Sequence, residues 1–150
     1  MKQENKDLLL RYLSMILPYG VKVWYKYYSE NVTEKFATSI RLVDGKIALS
    51  SKFNREGDWY PIEEANELLI KPFLRPMSSM TDEEKKEFDK FSIINEFVWK
   101  GDSKNGYKNQ AIIMSDAINW LLKKHFDIFD LIPKGLAIEI TEENNPYKIA

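Results

Sequence analysis

Two closely spaced prolines, Pro72 and Pro76, constrain this chain more than any other feature. Each removes a backbone donor and drives the residue before it out of helical conformation, so Lys71 and Arg75 are expected to be extended. The stretch from Leu69 to Pro76 then reads as a rigid crossover with Lys71, Phe73 and Arg75 on one side and Leu74 on the other. Shortly after it, Thr81-Asp-Glu-Glu84 has the spacing of a capping box. The Thr81 hydroxyl can accept from the Glu84 backbone N–H while the Glu84 carboxylate reaches back. Asp82, Glu83 and Glu84 also complement the positive end of a helix dipole. The chain therefore divides into a first half that reads mainly as strand and a second that reads mainly as helix.

Before the crossover, a helix over 7–17 would put Leu8, Leu9, Tyr12, Leu13, Ile16 and Leu17 on one side, with Arg11 and Ser14 opposite. Pro18-Tyr19-Gly20 ends it. The run Val21 to Tyr28 alternates as a strand does, with Val21, Val23, Tyr25 and Tyr27 on the core face and Lys22, Trp24, Lys26 and Tyr28 on the other. A polar stretch, 29–35, leads into a hairpin about Asp44-Gly45, a pair suited to a type I′ turn. Its register should set Val43 opposite Lys46, Leu42 opposite Ile47 and Ile40 opposite Leu49. Residues 51–58 read as a loop, and Trp59 to Ile62 as an edge strand or a bend because of Pro61. Glu63 to Leu69 reads as a single helical turn followed by extended chain.

Beyond the capping box, Phe88, Phe91, Ile94, Phe97 and Val98 form a helical stripe that ends near Trp99, and a loop over 100–107 follows. A further helix starts between Asn109 and Ser115 and runs to about Lys124, with Met114, Ala117, Ile118, Leu121 and Leu122 inward. Pro133-Lys134-Gly135 marks a turn, and Leu136, Ile138 and Ile140 share one face of a strand. The polar tail, about 142–150, is expected to fray. Together these elements make one α+β domain over 1–150, a small mainly antiparallel sheet with three main helices and further strands near Ile70 and Ile138.

Charge and composition exclude more than they assign. With 22 basic and 23 acidic side chains, there is no overall field to hold a polyanion or an anionic membrane. Cysteine is absent, which removes disulfides, thiolate nucleophiles and thiolate metal sites together. The N-terminal residues carry both signs of charge and Arg11 breaks the apolar run after them, a poor signal peptide. No apolar run approaches the ~20 residues of a membrane span. A cytoplasmic protein that engages no membrane is the expectation.

Among reactive side chains, the single histidine, His125, follows Lys123 and Lys124 where a cation suits the end of a helix. A helix-end or packing role is preferred for it over a catalytic or ligand role. A triad from a serine, His125 and Asp127 or Asp130 has no local motif behind it. Asp127 and Asp130 flank apolar residues, so one of them, if buried, needs a partner, and Arg75 is a candidate. A carboxylate-metal hydrolase built on Asp127, Asp130 and Glu139 is the remotest alternative. The acid-lysine spacings Glu83-Glu-Lys85 and Glu84-Lys-Lys86 fall in the first turns of a surface helix, where dipole complement explains them. No glycine-rich phosphate cradle is present, and no cofactor is expected. Lys22, Trp24, Lys26 and Tyr28, with Lys71 and Arg75, could track and stack a nucleic acid; packing or a protein contact is preferred for that face. Pro72 and Pro76 are misplaced for a polyproline ligand, since their spacing does not put both on one edge of a three-fold helix. For Lys71, Phe73 and Arg75 a rigid core crossover with a cationic rim is preferred, and recognition of an acidic partner by that rim is the alternative.

Two segments, Ile70-Lys-Pro-Phe-Leu-Arg-Pro-Met-Ser-Ser-Met-Thr81 and Trp120-Leu-Leu-Lys-Lys-His-Phe-Asp-Ile-Phe-Asp-Leu-Ile-Pro-Lys-Gly-Leu-Ala-Ile138, resemble signatures of small uncharacterised proteins of phages and prophage regions in gut-type anaerobic bacteria. That group often has glycine where this chain has Asp130, which argues against a turn there. The resemblance supplies no activity, cofactor or catalytic residue. It implies a setting, that of a phage-linked accessory protein in the bacterial cytosol; the favoured expectation beside it is a non-catalytic role through protein contacts.

Overall fold

A computed structural model describes residues 1–27, 30–43, 46–51, 60–65, 67–101 and 106–148. Helix α1 (Gln3–Ile16) buries Leu9, Tyr12, Leu13 and Ile16 completely, and Leu8 and Leu17 pack at the edge of that cluster. A 3-10 turn over Leu17–Tyr19 takes up Pro18, and Gly20 at φ 76° redirects the chain. The expected stop signal acts as glycine chemistry requires.

The strands are β1 (Val21–Tyr27), β2 (Glu30–Val43), β3 (Lys46–Ser51), β4 (Tyr60–Pro61), β5 (Glu63–Glu64), β6 (Glu67–Leu68), β7 (Ile70–Leu74) and β8 (Ile138–Glu139). Six of them form one sheet in the order β4-β3-β2-β1-β7-β8. Every pairing in it is antiparallel except that of β7 with β8. The α+β class and the mainly antiparallel sheet are as the sequence implies. So is the β2–β3 register: Val43 faces Lys46, Leu42 faces Ile47 and Ile40 faces Leu49. Asp44 and Gly45 themselves, like Tyr28 and residues 52–59 and 102–105, lie outside the described residues. β4 is an edge strand, the place where Pro61 costs no ladder bond.

The sheet continues through the polar stretch, and one local expectation, the helical turn at 63–69, is corrected. The polar residues Glu30 to Lys35 are strand, with Tyr27 opposite Glu30 and Tyr25 opposite Val32. The neighbouring strand supplies their backbone partners, and pairing of that kind overrides weak side-chain propensity. Irregularities at Val23/Tyr25 and at Ala37/Ser39 let β2 serve β1 at one end and β3 at the other. Residues 63–69 form no helical turn. β5 and β6 pair with each other instead, with Ala65 at φ 47° in the turn, while Leu69 and Ile70 N–H groups donate to the Ile62 carbonyl. Burial of Ile62 and Ile70 fixes the ends of this segment, and helix propensity yields to them.

Pro72 lies in a strand with neighbours on both sides, and the register explains why that is tolerated. Lys26 N–H donates to the Leu69 carbonyl, and hydrogen-bonded pairs alternate along an antiparallel ladder. Pro72, opposite Val23, therefore occupies a non-hydrogen-bonded position. Its missing donor faces β8, whose ladder begins only at Phe73 and Ile138. β7 is consequently buried on both faces, with Ile70, Pro72, Phe73 and Leu74 all in the core.

Helices α2 (Asp82–Gly101) and α3 (Gly106–Lys123) form an antiparallel hairpin. The Thr81–Glu84 capping box forms in both directions: Glu84 N–H donates to the Thr81 hydroxyl at 3.2 Å, and Thr81 N–H to the Glu84 carboxylate at 3.0 Å. Phe88 packs against Phe91 and Trp120 with centroids 5.8 and 5.7 Å apart; the stripe's continuation at Ile94, Phe97 and Val98 lies outside the described side chains. α3 starts earlier than expected, with Gly106 buried at its first position. Leu121 and Leu122 are inward as expected and Ile118 packs at the core's edge. Met114 is not: it is 54% exposed. The turn over 131–135 is present, with Gly135 at φ 71°, and the strand after it is only the two residues of β8.

Candidate functional site

The crossover, the start of α2, the end of α3 and the C-terminal segment meet around Arg75. Leaving β7, Arg75 donates its N–H to the His125 carbonyl at 2.7 Å and accepts from the Asp127 N–H at 2.8 Å. This is a parallel bridge with Phe126 as its opposite residue. The guanidinium then spends four of its five N–H donors. Nη1 and Nη2 form a fork on the two Glu84 oxygens at 2.9 and 2.8 Å, while Nη2 also reaches the Ser79 carbonyl and Nε its hydroxyl. Its plane covers the Phe126 ring at 4.2 Å. Glu84 thus closes the capping box and holds Arg75 with one carboxylate, and Lys124 stands 3.9 Å away. The hydrogen bond from Arg75 first, and the Thr81 N–H besides, hold Glu84 down to about 2.

This corrects the pairing expected for Arg75. Asp127 is buried, at 5% exposure, but its carboxylate accepts from the main-chain N–H groups of Leu131 (2.9 Å), Ile132 (2.8 Å) and Phe129 (3.4 Å). Asp130 is exposed and takes φ 56°, immediately before the turn over 131–135. Aspartate tolerates the left-handed region well enough to stand where glycine would. Among the described residues no group of three or more His, Asp or Glu side chains is placed to hold a metal ion. The carboxylate-metal reading has nothing there to rest on.

His125 terminates α3 in the left-handed conformation, φ 63°. Its ring stacks on Tyr147 at 3.8 Å and 13°, and Nδ1 is buried without a hydrogen-bond partner. Burial first, and the Arg75 cation second, push it down to about 4 from 6.5. At neutral pH it is an uncharged stacking platform. The helix-end role stands, but the cationic dipole complement does not. A triad is not formed either, because no carboxylate orients Nδ1 and Asp127 is committed to the main chain. The unfolded chain takes up this proton near 6.5 and the folded chain only near 4. Stability is therefore expected to be complete above pH 6.5 and to fall by about 1–2 kcal/mol as pH drops from 6.5 to 4, after discounting for the ring's partial exposure. Urea titrations across that window should show the slope flattened in His125→Phe, which keeps a stacking ring and removes the proton.

The Lys/aromatic strand face is only partly available. Lys22 Nζ donates to the Pro146 carbonyl at 2.5 Å, Lys26 pairs with Glu67, and Trp24, opposite Lys71, is half-buried. Phe73 is core, so Lys71, Phe73 and Arg75 present no common rim. The sequence reading missed Ser79, Glu84 and Tyr147 as members of the junction. Tyr147 was the one aromatic in a polar tail, a signal that something must cover it. In place of fraying, residues 141–148 are held by that ring and by Thr141–Asn144 hydrogen bonds.

No protein-family model, no curated protein and no solved structure matches the chain. Among the described residues no helix is long and apolar enough to cross a membrane.

Proposed function

We propose that the chain is a non-catalytic accessory protein, phage- or prophage-linked and acting in the bacterial cytosol through a protein contact made by helix α3. One observation carries this reading. Positions 107, 111, 114, 118, 121 and 122 fall on one helical stripe. Its C-terminal part, Ile118, Leu121 and Leu122, is covered by the core. Its N-terminal part is not: Met114 is 54% exposed, Ala111 is exposed a turn before it, and Ile112 is at 50% on the adjoining face. The stripe runs past the core that would bury it, and the occupant that suits it is the apolar face of a helix from a partner protein. The Arg75 junction supports the non-catalytic half of the reading, since its guanidinium and its carboxylates are taken up with one another or with the main chain, and its neutral imidazole is stacked under Tyr147.

Met114→Glu should leave stability within about 0.5 kcal/mol of the parent, because the side chain is exposed. In affinity capture from host cells followed by reconstitution with the purified partner, it should abolish the complex. A reconstituted complex of undiminished affinity would show that the contact lies elsewhere.

A further inference from the structure

The C-terminal segment seats Pro146 and Tyr147 in a slot that β1 and β7 leave between them. Alternate pairs of this ladder carry hydrogen bonds, and the Lys26 to Leu69 bond fixes which ones. Lys22 and Phe73 are the next pair due to exchange them, yet the strands' register ends at Val23 opposite Pro72, because β7 turns to β8 from Phe73 onward. The Tyr147 hydroxyl stands in the gap. It accepts from the Lys22 N–H at 2.8 Å and donates to the Phe73 carbonyl at 3.4 Å. The ring lies on His125, Pro146 is buried, and the Pro146 carbonyl accepts from Lys22 Nζ. The slot therefore offers a flat stacking face, a main-chain donor and acceptor spaced for one hydroxyl, and a cation for the preceding carbonyl. Phenylalanine in it would leave two main-chain groups unpaired.

We propose that this slot is a recognition site for a peptide segment that presents Pro-Tyr in a turn, as residues 145–148 do here, occupied in cis by the chain's own C-terminal strap and open in trans to a partner that presents the same pair. Outside the slot the strap's described hydrogen bonds are local, among residues 139–148. Releasing it thus breaks mainly the contacts that an incoming segment makes again. The strap's advantage is its tether, which gives it an effective concentration on the order of millimolar. This inference uses a different surface from the α3 stripe, so either fails without the other.

The test uses the full chain and a labelled peptide, Glu-Asn-Asn-Pro-Tyr-Lys, followed by fluorescence anisotropy. The Tyr147→Ala protein, its slot vacated, should bind the peptide at least about ten-fold more tightly than the parent does. A peptide with phenylalanine in place of tyrosine should bind that variant at least about ten-fold more weakly, from the two unpaired main-chain groups. The tyrosine peptide should also raise the melting temperature of Tyr147→Ala, a readout that holds if the variant is partly unfolded. Tyr147→Phe, which keeps the ring, should fall between parent and alanine variant. Equal binding to parent and Tyr147→Ala, equal binding of the two peptides, or neither binding nor a melting shift at millimolar peptide overturns the proposal.

Discussion

Asp127→Ala is expected to destabilise the fold by about 3 kcal/mol, more than loss of any single exposed charge. The carboxylate is buried and is the acceptor for main-chain donors at Phe129, Leu131 and Ile132. These residues form the sharp passage from the end of α3 into β8, and Leu131 has no exposed surface. Removing the carboxylate leaves buried N–H groups that water reaches poorly, each at about 1–3 kcal/mol, partly relieved by relaxation of the turn. Asp127→Asn keeps one acceptor oxygen and should cost roughly half as much, which separates hydrogen bonding from shape. For a chain of this size the alanine variant should melt about 6–12 °C lower. Equilibrium urea denaturation checks the free energy directly, and a change below about 0.5 kcal/mol would mean that the loop finds other acceptors.

Why this residue was not legible as a loop organiser is instructive. In sequence, Asp127 and Asp130 look equivalent, two acids among aromatics, and Arg75 is one candidate partner for either. Backbone donors carry no sequence signature, so a carboxylate that serves them is invisible until the turn is known. The same holds for Tyr147, whose partners are the Lys22 N–H and the Phe73 carbonyl. What was legible follows local rules: the alternation of β2 and β3 carried their register, Gly20 stopped the first helix, and Thr81 with Glu84 started the second. What failed, at 63–69, failed where strand pairing outbid weak helix propensity. Met114 failed for another reason. Helical period identifies a stripe but not how far the core extends beneath it.

Arg75→Ala should cost about 3 kcal/mol, and the loss should be shared with Glu84 rather than added to it. The guanidinium joins three pieces of chain that no strand pairing holds together: the exit of β7, the 3-10 turn at Met77–Ser79, and the first turn of α2. Its loss uncovers Phe126 and leaves Glu84 with only the Thr81 N–H and the distant Lys124. Part of the expected cost is that abandoned carboxylate, part is lost packing of the arginine stem and plane. Glu84→Gln keeps an acceptor for Thr81 and should cost about 1 kcal/mol. In a double-mutant cycle the two changes should be coupled by about 1 kcal/mol, since the second has little left to break. The pH dependence follows from the direction of the Glu84 shift. With the folded group held to about 2 and its ordinary value at 4.5, its contribution is complete above 4.5 and is lost as pH falls from 4.5 toward 2. Acid unfolding should therefore begin with His125 above pH 4 and continue with Glu84 below it, and Arg75→Ala should remove the lower limb and only shrink the upper, which burial sets first and the Arg75 cation second. Additive free energies in the cycle, or an unchanged lower limb in Arg75→Ala, would show that the fork is a surface contact and that the junction is held by the Phe126 backbone bridge alone.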